Sequence, residues 1–134
     1  MAEPLTSRIE AEVMAAIRKM GENVVVKARF MPDKPDRCVL VTARASGRPA
    51  DRHGDAARTY SLQVRVRDPA LAIDLADRID AFLSLRTWSA NIDALYWEST
   101  GDLGRDAKGR DEITYNYEVV ANATRTSTAT SKEQ

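Results

Sequence analysis

The chain has 134 residues, the length of about one domain, and its 20 basic and 20 acidic side chains leave it formally neutral. With 43% apolar residues it has material for a core burying roughly two thirds of the unfolded surface, which excludes disorder from end to end. A single cysteine, Cys38, excludes an internal disulfide and any cysteine-cluster metal site.

No run of 18 apolar residues occurs, and residues 1–8 lack the basic start and apolar stretch of a signal peptide, so a soluble protein made in the cytosol is expected. Neutrality also argues against a dedicated nucleic-acid binder, which normally carries a marked positive excess. The zero nevertheless hides a division. Residues 1–67 hold 13 basic and 8 acidic side chains, a net +5, while residues 68–134 hold 7 and 12, a net −5.

In chain order, Leu5, Ile9, Val13, Ala16, Ile17 and Met20 fall on one stripe at the helical period, predicting a helix over 5–20. Ser7 and Glu10 fit a capping box, with Pro4 as an alternative first-turn residue, and Gly21 is placed to end the helix. Val24 to Phe30 opens with β-branched residues and is read as a strand. Two prolines and two aspartates within 31–36 demand a turn, after which the nearly continuous apolar run 38–43 predicts a strand covered on both faces or lying at a sheet centre. Residues 46–56 lack apolar periodicity and are read as a long polar loop.

The clearest two-residue period lies in 58–67, where Tyr60, Leu62, Val64 and Val66 alternate with Ser61, Gln63, Arg65 and Arg67. Asp68-Pro69 has the form of a helix start, followed by an apolar stripe of Leu71, Leu75, Ile79, Phe82 and Leu83. Asp74, Asp77 and Asp80 are expected opposite that stripe, as an acidic ridge. A connection holding Trp88 leads to a strand over 92–98, a charged loop over 101–111 and a final strand over 112–121, the two strands forming a hairpin. From Asn122 onward the composition turns polar and low in apolar residues, as in a flexible tail. The expected fold is α+β in the order α-β-β-β-α-β-β: a two-layer domain over residues 1–122, with about five mainly antiparallel strands and both helices on one face, then a tail over 123–134.

Catalytic and metal chemistry find little support. His53, the one histidine, sits in the polar loop, and neither a triad nor a metal site can be assembled from it and a strand-borne Cys38. Gly104 and Gly109 are spaced as in a phosphate loop, but Arg110 and Asp111 follow where lysine and serine or threonine are required. Asp102, Asp106 and Asp111 lack the alternate-residue spacing of a calcium loop. No cofactor, metal or catalytic residue is assigned, and an enzyme is not expected. Arg44, Arg65 and Arg67 belong to a loose basic set in the first half, read as surface charge, a subunit interface or the lining of a DNA channel. Trp88 and Trp97 are candidate core or interface anchors.

The amphipathic first helix, the segment Met31-Pro32-Asp33-Lys34-Pro35-Asp36-Arg37-Cys38-Val39-Leu40-Val41, and the strand Tyr60 to Arg67 running into Asp68-Pro69 together resemble the tail terminator proteins of long-tailed bacteriophages. That group includes minor capsid and tail completion proteins. Residues 103–110 leading into Tyr115-Asn116-Tyr117-Glu118-Val119 are similar to the closing hairpin of the same family. The resemblance spans about residues 5–122. It implies a non-enzymatic virion protein, assembled in the host cytoplasm, that forms a hexameric ring at the head-proximal end of the tail tube. On this reading the ring stops tube polymerisation and joins the tail to the head connector, and DNA is only cargo passing through it, with no membrane involved.

Such a ring needs unlike patches to meet. Asp74, Asp77 and Asp80 of one copy are expected to face Arg44, Arg65 or Arg67 of the next, with Trp88 and Trp97 as further contact residues. The alternatives are a head-tail joining or neck protein on the portal side, a small hydrolase using His53, and a nucleic-acid module using the arginines.

Overall fold

The computed structural model describes residues 4–49, 57–88 and 90–122. The element order is α1 (Leu5–Lys19), β1 (Val25–Ala28), β2 (Cys38–Pro49), β3 (Ala57–Asp68), α2 (Ala72–Leu85), β4 (Ile92–Arg105) and β5 (Asp111–Asn122). The α+β order and the helix-strand alternation are those expected from the sequence. The polar loop's centre with His53, and the tail 123–134, lie outside the described residues.

One sheet of five strands runs in the order β1-β2-β3-β5-β4. Every pairing is antiparallel except β1 with β2, which is parallel over Val25↔Cys38 to Ala28↔Val41. Both helices pack on one face of the sheet, α1 against β1 and β2, α2 against β3, β5 and β4. Between the layers, Ile9, Val13 and Ile17 of α1 and Leu75, Ile79 and Leu83 of α2 meet Val39, Val41, Leu62, Val64 and Tyr117 of the sheet, all essentially without solvent exposure. Each of these strands sends every second residue into that layer, so the dry face follows directly from the two-residue period.

Helix α1 starts at Leu5 as expected, but its capping and the start of α2 differ from expectation. No capping box forms: Pro4 precedes α1 without any side-chain cap, and Glu10 turns into the protein instead. Its carboxylate accepts the Ala43 amide at 2.8 Å and the Arg29 guanidinium at 3.1 Å. The reason lies in the sheet: β1 stops at Ala28, Arg29 adopts a φ of 68°, and the edge of β2 beyond Val41 is left without a strand neighbour. Glu10 supplies the acceptor that a longer β1 would have supplied. Gly21 does end the helix, with its amide on the Arg18 carbonyl at a φ of 76°.

The second helix begins at Ala72, not at Asp68-Pro69, and Leu71 stays outside the core, 54% exposed. Asp68 closes a local turn on the Ala70 amide and pairs with Arg37. The Ala72 amide is capped from a distance by the Asp111 carboxylate at 2.8 Å. Arg105 adds bonds to the Pro69 and Ala70 carbonyls, so the far end of the β4–β5 hairpin fixes where α2 starts.

The strands β2 and β4 are longer than expected. Strand β2 continues through Ser46 to Pro49, with an irregularity in its pairing to β3 between Ala45 and Pro49. Strand β4 continues through the supposed loop to Arg105, leaving Asp106 to Arg110 as the turn. Three irregularities, at Ile92/Ala94, Trp97/Ser99 and Asp102/Gly104, break its alternation, which hides its length from a period-2 reading. At one of its inner contacts Gly101 lies so close to Thr114 that a Cβ there would sit 2.8 Å from the hydroxyl oxygen.

In the run 38–43 every residue but Thr42 is buried, so it is covered on both faces as far as Val41. The helices cover one face. On the other, the 31–37 turn folds over Cys38 and Leu40 and is held by Arg67, which is 3% exposed and donates to the carbonyls of Asp33, Pro35 and Asp36. Arg110 reaches the same turn from the hairpin, bonding the Asp33 carbonyl while pairing with Asp106.

Candidate functional site

The side chains singled out from the sequence are not, among the described residues, gathered at one centre. Among the described residues no three His, Cys, Asp or Glu side chains are grouped to hold a metal ion. Cys38 is buried, and desolvation pushes its thiol up. No helix of the described residues is long and apolar enough to cross a membrane. The informative features are surfaces.

The helix-free face of the sheet is polar. Across it the register aligns Thr42, Gln63, Asn116 and Ser99 in one row, and Arg44, Ser61, Glu118 and Tyr96 in the next. A depression of about 320 Å³ opens here, with Arg44 on one side and Glu98 on the other. On the opposite layer a broader cleft of about 680 Å³ lies between the ends of the helices, lined by Met20, Ala81, Phe82 and Leu85 together with Lys19, Glu22, Arg78 and Arg86.

The eight residues expected at a subunit interface do not share one surface. Arg67 is consumed in its own chain by the 31–37 turn, and Arg65 pairs with Glu112 at 2.7 Å. Arg44 is exposed on the helix-free face, while Asp74 is exposed on α2. Asp77 and Asp80 accept hydrogen bonds from the hydroxyls of Tyr115 and Tyr117 on β5, and both phenols are pushed up in pKa, by burial first and by these carboxylates second. The acidic ridge is therefore not straight. A three-residue step on an α-helix falls about 60° short of a full turn, so Asp74, Asp77 and Asp80 spiral from solvent toward the sheet. Trp88 packs against the core with the Arg86 guanidinium 5.1 Å from its ring. Trp97 is 53% exposed on β4, its indole N–H on the Thr100 hydroxyl.

The fold also locates the charge division. Lys27 on β1, Arg44 and Arg48 on β2, and Arg58, Arg65 and Arg67 against Asp68 on β3 give the first three strands a net +5. Asp111, Glu112 and Glu118 on β5 and Asp93, Glu98 and Asp102 against Arg105 on β4 give the other two a net −5. Because β1, β2 and β3 are neighbours and β5 and β4 are neighbours, the sheet runs from a basic edge to an acidic edge. The two halves of the sequence are two sides of the sheet.

A family model described as "Bacteriophage tail terminator protein" matches residues 14–123. The chain belongs to the bacteriophage tail terminator family. Among solved structures, a chain from the virion of a native gene transfer agent (GTA) particle is similar with a TM-score of 0.67 at 12% identity, over 90% of this chain and 99% of that one. That likeness shows that the two share a fold. No curated protein matches the chain. The matched family region ends just beyond β5 and takes in every strand, and membership makes this a phage tail protein of structural type.

Proposed function

We propose that this tail terminator is a non-enzymatic ring protein of the head-tail junction. It closes the head-proximal end of the tail tube, stops tube polymerisation and presents a surface to the head connector, while DNA passes through as cargo. The family match over residues 14–123 carries the reading. The virion neighbour is consistent with it, and so is a surface built of unlike halves, because a ring of identical subunits joins by heterologous contacts. Six copies are expected from the family resemblance, with assembly in the host cytoplasm before the tail meets the head.

Electron microscopy of the purified protein mixed with its tail tube tests this directly. A ring capping one tube end, with tube length no longer increasing, is the expected outcome. Tubes that continue to grow at both ends in its presence refute the terminator role, and a ring seated on the portal instead assigns the chain to head-tail joining.

A further inference from the structure

Resting on the ring reading, we propose that neighbouring copies meet edge to edge, the acidic β4 edge of one against the basic β1–β2 edge of the next. Both edges are outermost in the sheet order. On the acidic edge, Glu98 and Asp102 are exposed beside Tyr96, Trp97 and Leu103, which are large side chains half or more in solvent. On the basic edge, Lys27 and Arg44 are exposed beside Val25 and Phe30, the latter 72% exposed. Lys27, Arg44 and Glu98 form no ion pair with any described residue. Each edge therefore offers uncovered apolar surface next to uncompensated charge, and the signs are opposite.

The contact is made by side chains and not by a continuous backbone ladder. Strand β4 is interrupted at three points along its length, and the β2 edge has its Ala43 amide already taken by Glu10. Both are devices that block open-ended strand addition. What remains on each edge is exposed apolar surface with charge beside it, the two ingredients from which protein interfaces are built. Since the two edges lie at opposite ends of one sheet, each copy has one of each, and the contact repeats head to tail.

Two reversals of the full-length chain test the proposal: Glu98→Lys with Asp102→Lys, which makes both edges basic, and Lys27→Glu with Arg44→Glu, which makes both edges acidic. All four positions are exposed, and melting curves matching the parent establish that the fold is intact. Native mass spectrometry is expected to show rings for the parent, monomers for each reversal alone, and rings containing equal numbers of the two variants when they are mixed one to one. Rings formed by either reversal alone overturn the edge contact and leave the terminator reading standing. A parent chain that forms no ring, even with tail tube present, overturns both. A variant that melts early is replaced by its neutral counterpart, Glu98→Gln with Asp102→Asn or Lys27→Gln with Arg44→Gln. A neutral pair that assembles as well as the parent at every protein concentration counts as refutation of the edge contact.

Discussion

Replacing Glu10 by alanine probes the most consequential contact that the helix makes with the sheet. Its carboxylate, 3% exposed, accepts the amide of Ala43, a residue that is itself 2% exposed. Removing it takes away a charge-assisted hydrogen bond and leaves a buried N–H without an acceptor, together about 2–3 kcal/mol. The pair with Arg29 adds under about 1 kcal/mol, because that guanidinium is more than half exposed. With an unfolding entropy near 2.1 cal/mol/K per residue, a loss of about 3 kcal/mol in a domain of this size lowers the melting temperature by about 10–12 °C. Glu10→Gln keeps an acceptor for the amide and is expected to fall by about 4 °C, and Arg29→Ala by less. Calorimetry with urea titration measures all three. A Glu10→Ala protein melting within about 3 °C of the parent, or no lower than Arg29→Ala, refutes the idea that this carboxylate substitutes for a missing stretch of strand.

Gly101→Ala forces a Cβ against the Thr114 hydroxyl and is expected to destabilise the hairpin by about 1–3 kcal/mol; Thr114→Ala in the same chain restores most of the loss, which urea unfolding of the double-mutant cycle detects. Tyr117→Phe leaves the ring packing intact but removes the bond to Asp80, costing about 1.5–3 kcal/mol by the same measurement. Arg67→Met frees the 31–37 turn from three carbonyl anchors, so hydrogen exchange at residues 33–37 is expected to accelerate while the helices keep their protection. The Arg110 guanidinium holds the Asp106 carboxyl down to about 2 from 3.8. A carboxyl depressed in the folded state stabilises fully above pH 3.8 and loses that contribution as pH falls toward 2. Asp33 and Glu22, lowered by Lys108 and Arg78 respectively, act in the same direction. Asp106→Asn is therefore expected to flatten the stability curve between pH 4 and 2, and an unchanged slope contradicts the pairing.

Where one face of an element is dry and the other wet, its pattern was readable from the chain alone. Tyr60 to Val66 and Ile113 to Val119 alternate because the helix layer covers one side of β3 and β5 and leaves the other polar. The first part of β4 is legible as a strand over 92–98, but its continuation to Arg105 is not, because its irregular pairing and its exposure past Tyr96 remove the alternation on which such a reading depends. The capping box of α1 and the start of α2 depart from their local signatures for another reason: Ser7–Glu10 and Asp68–Pro69 are overruled by tertiary partners, Ala43 in one case and Asp111 in the other. No local spacing contains those partners. The candidate surface divides similarly. Two opposite halves were visible by counting charge, but their arrangement depends on strand order, and the ridge of aspartates was legible as a set of residues without its twist toward Tyr115 and Tyr117.

The basic-to-acidic progression across the strands also gives the sheet an electric dipole lying in its own plane. At about 4.8 Å between strands the centres of the two charge sets are roughly 10 Å apart, a moment on the order of 250 D. Ionic screening confines its reach to about 8 Å at physiological salt, so it acts only as two molecules come within the last few solvent layers. Within that distance it exerts a torque, turning an approaching copy until unlike ends face each other before any side chain touches. Its effect falls on the rate of encounter more than on the lifetime of what forms. Added salt is then expected to slow assembly well before it dissolves the finished structure.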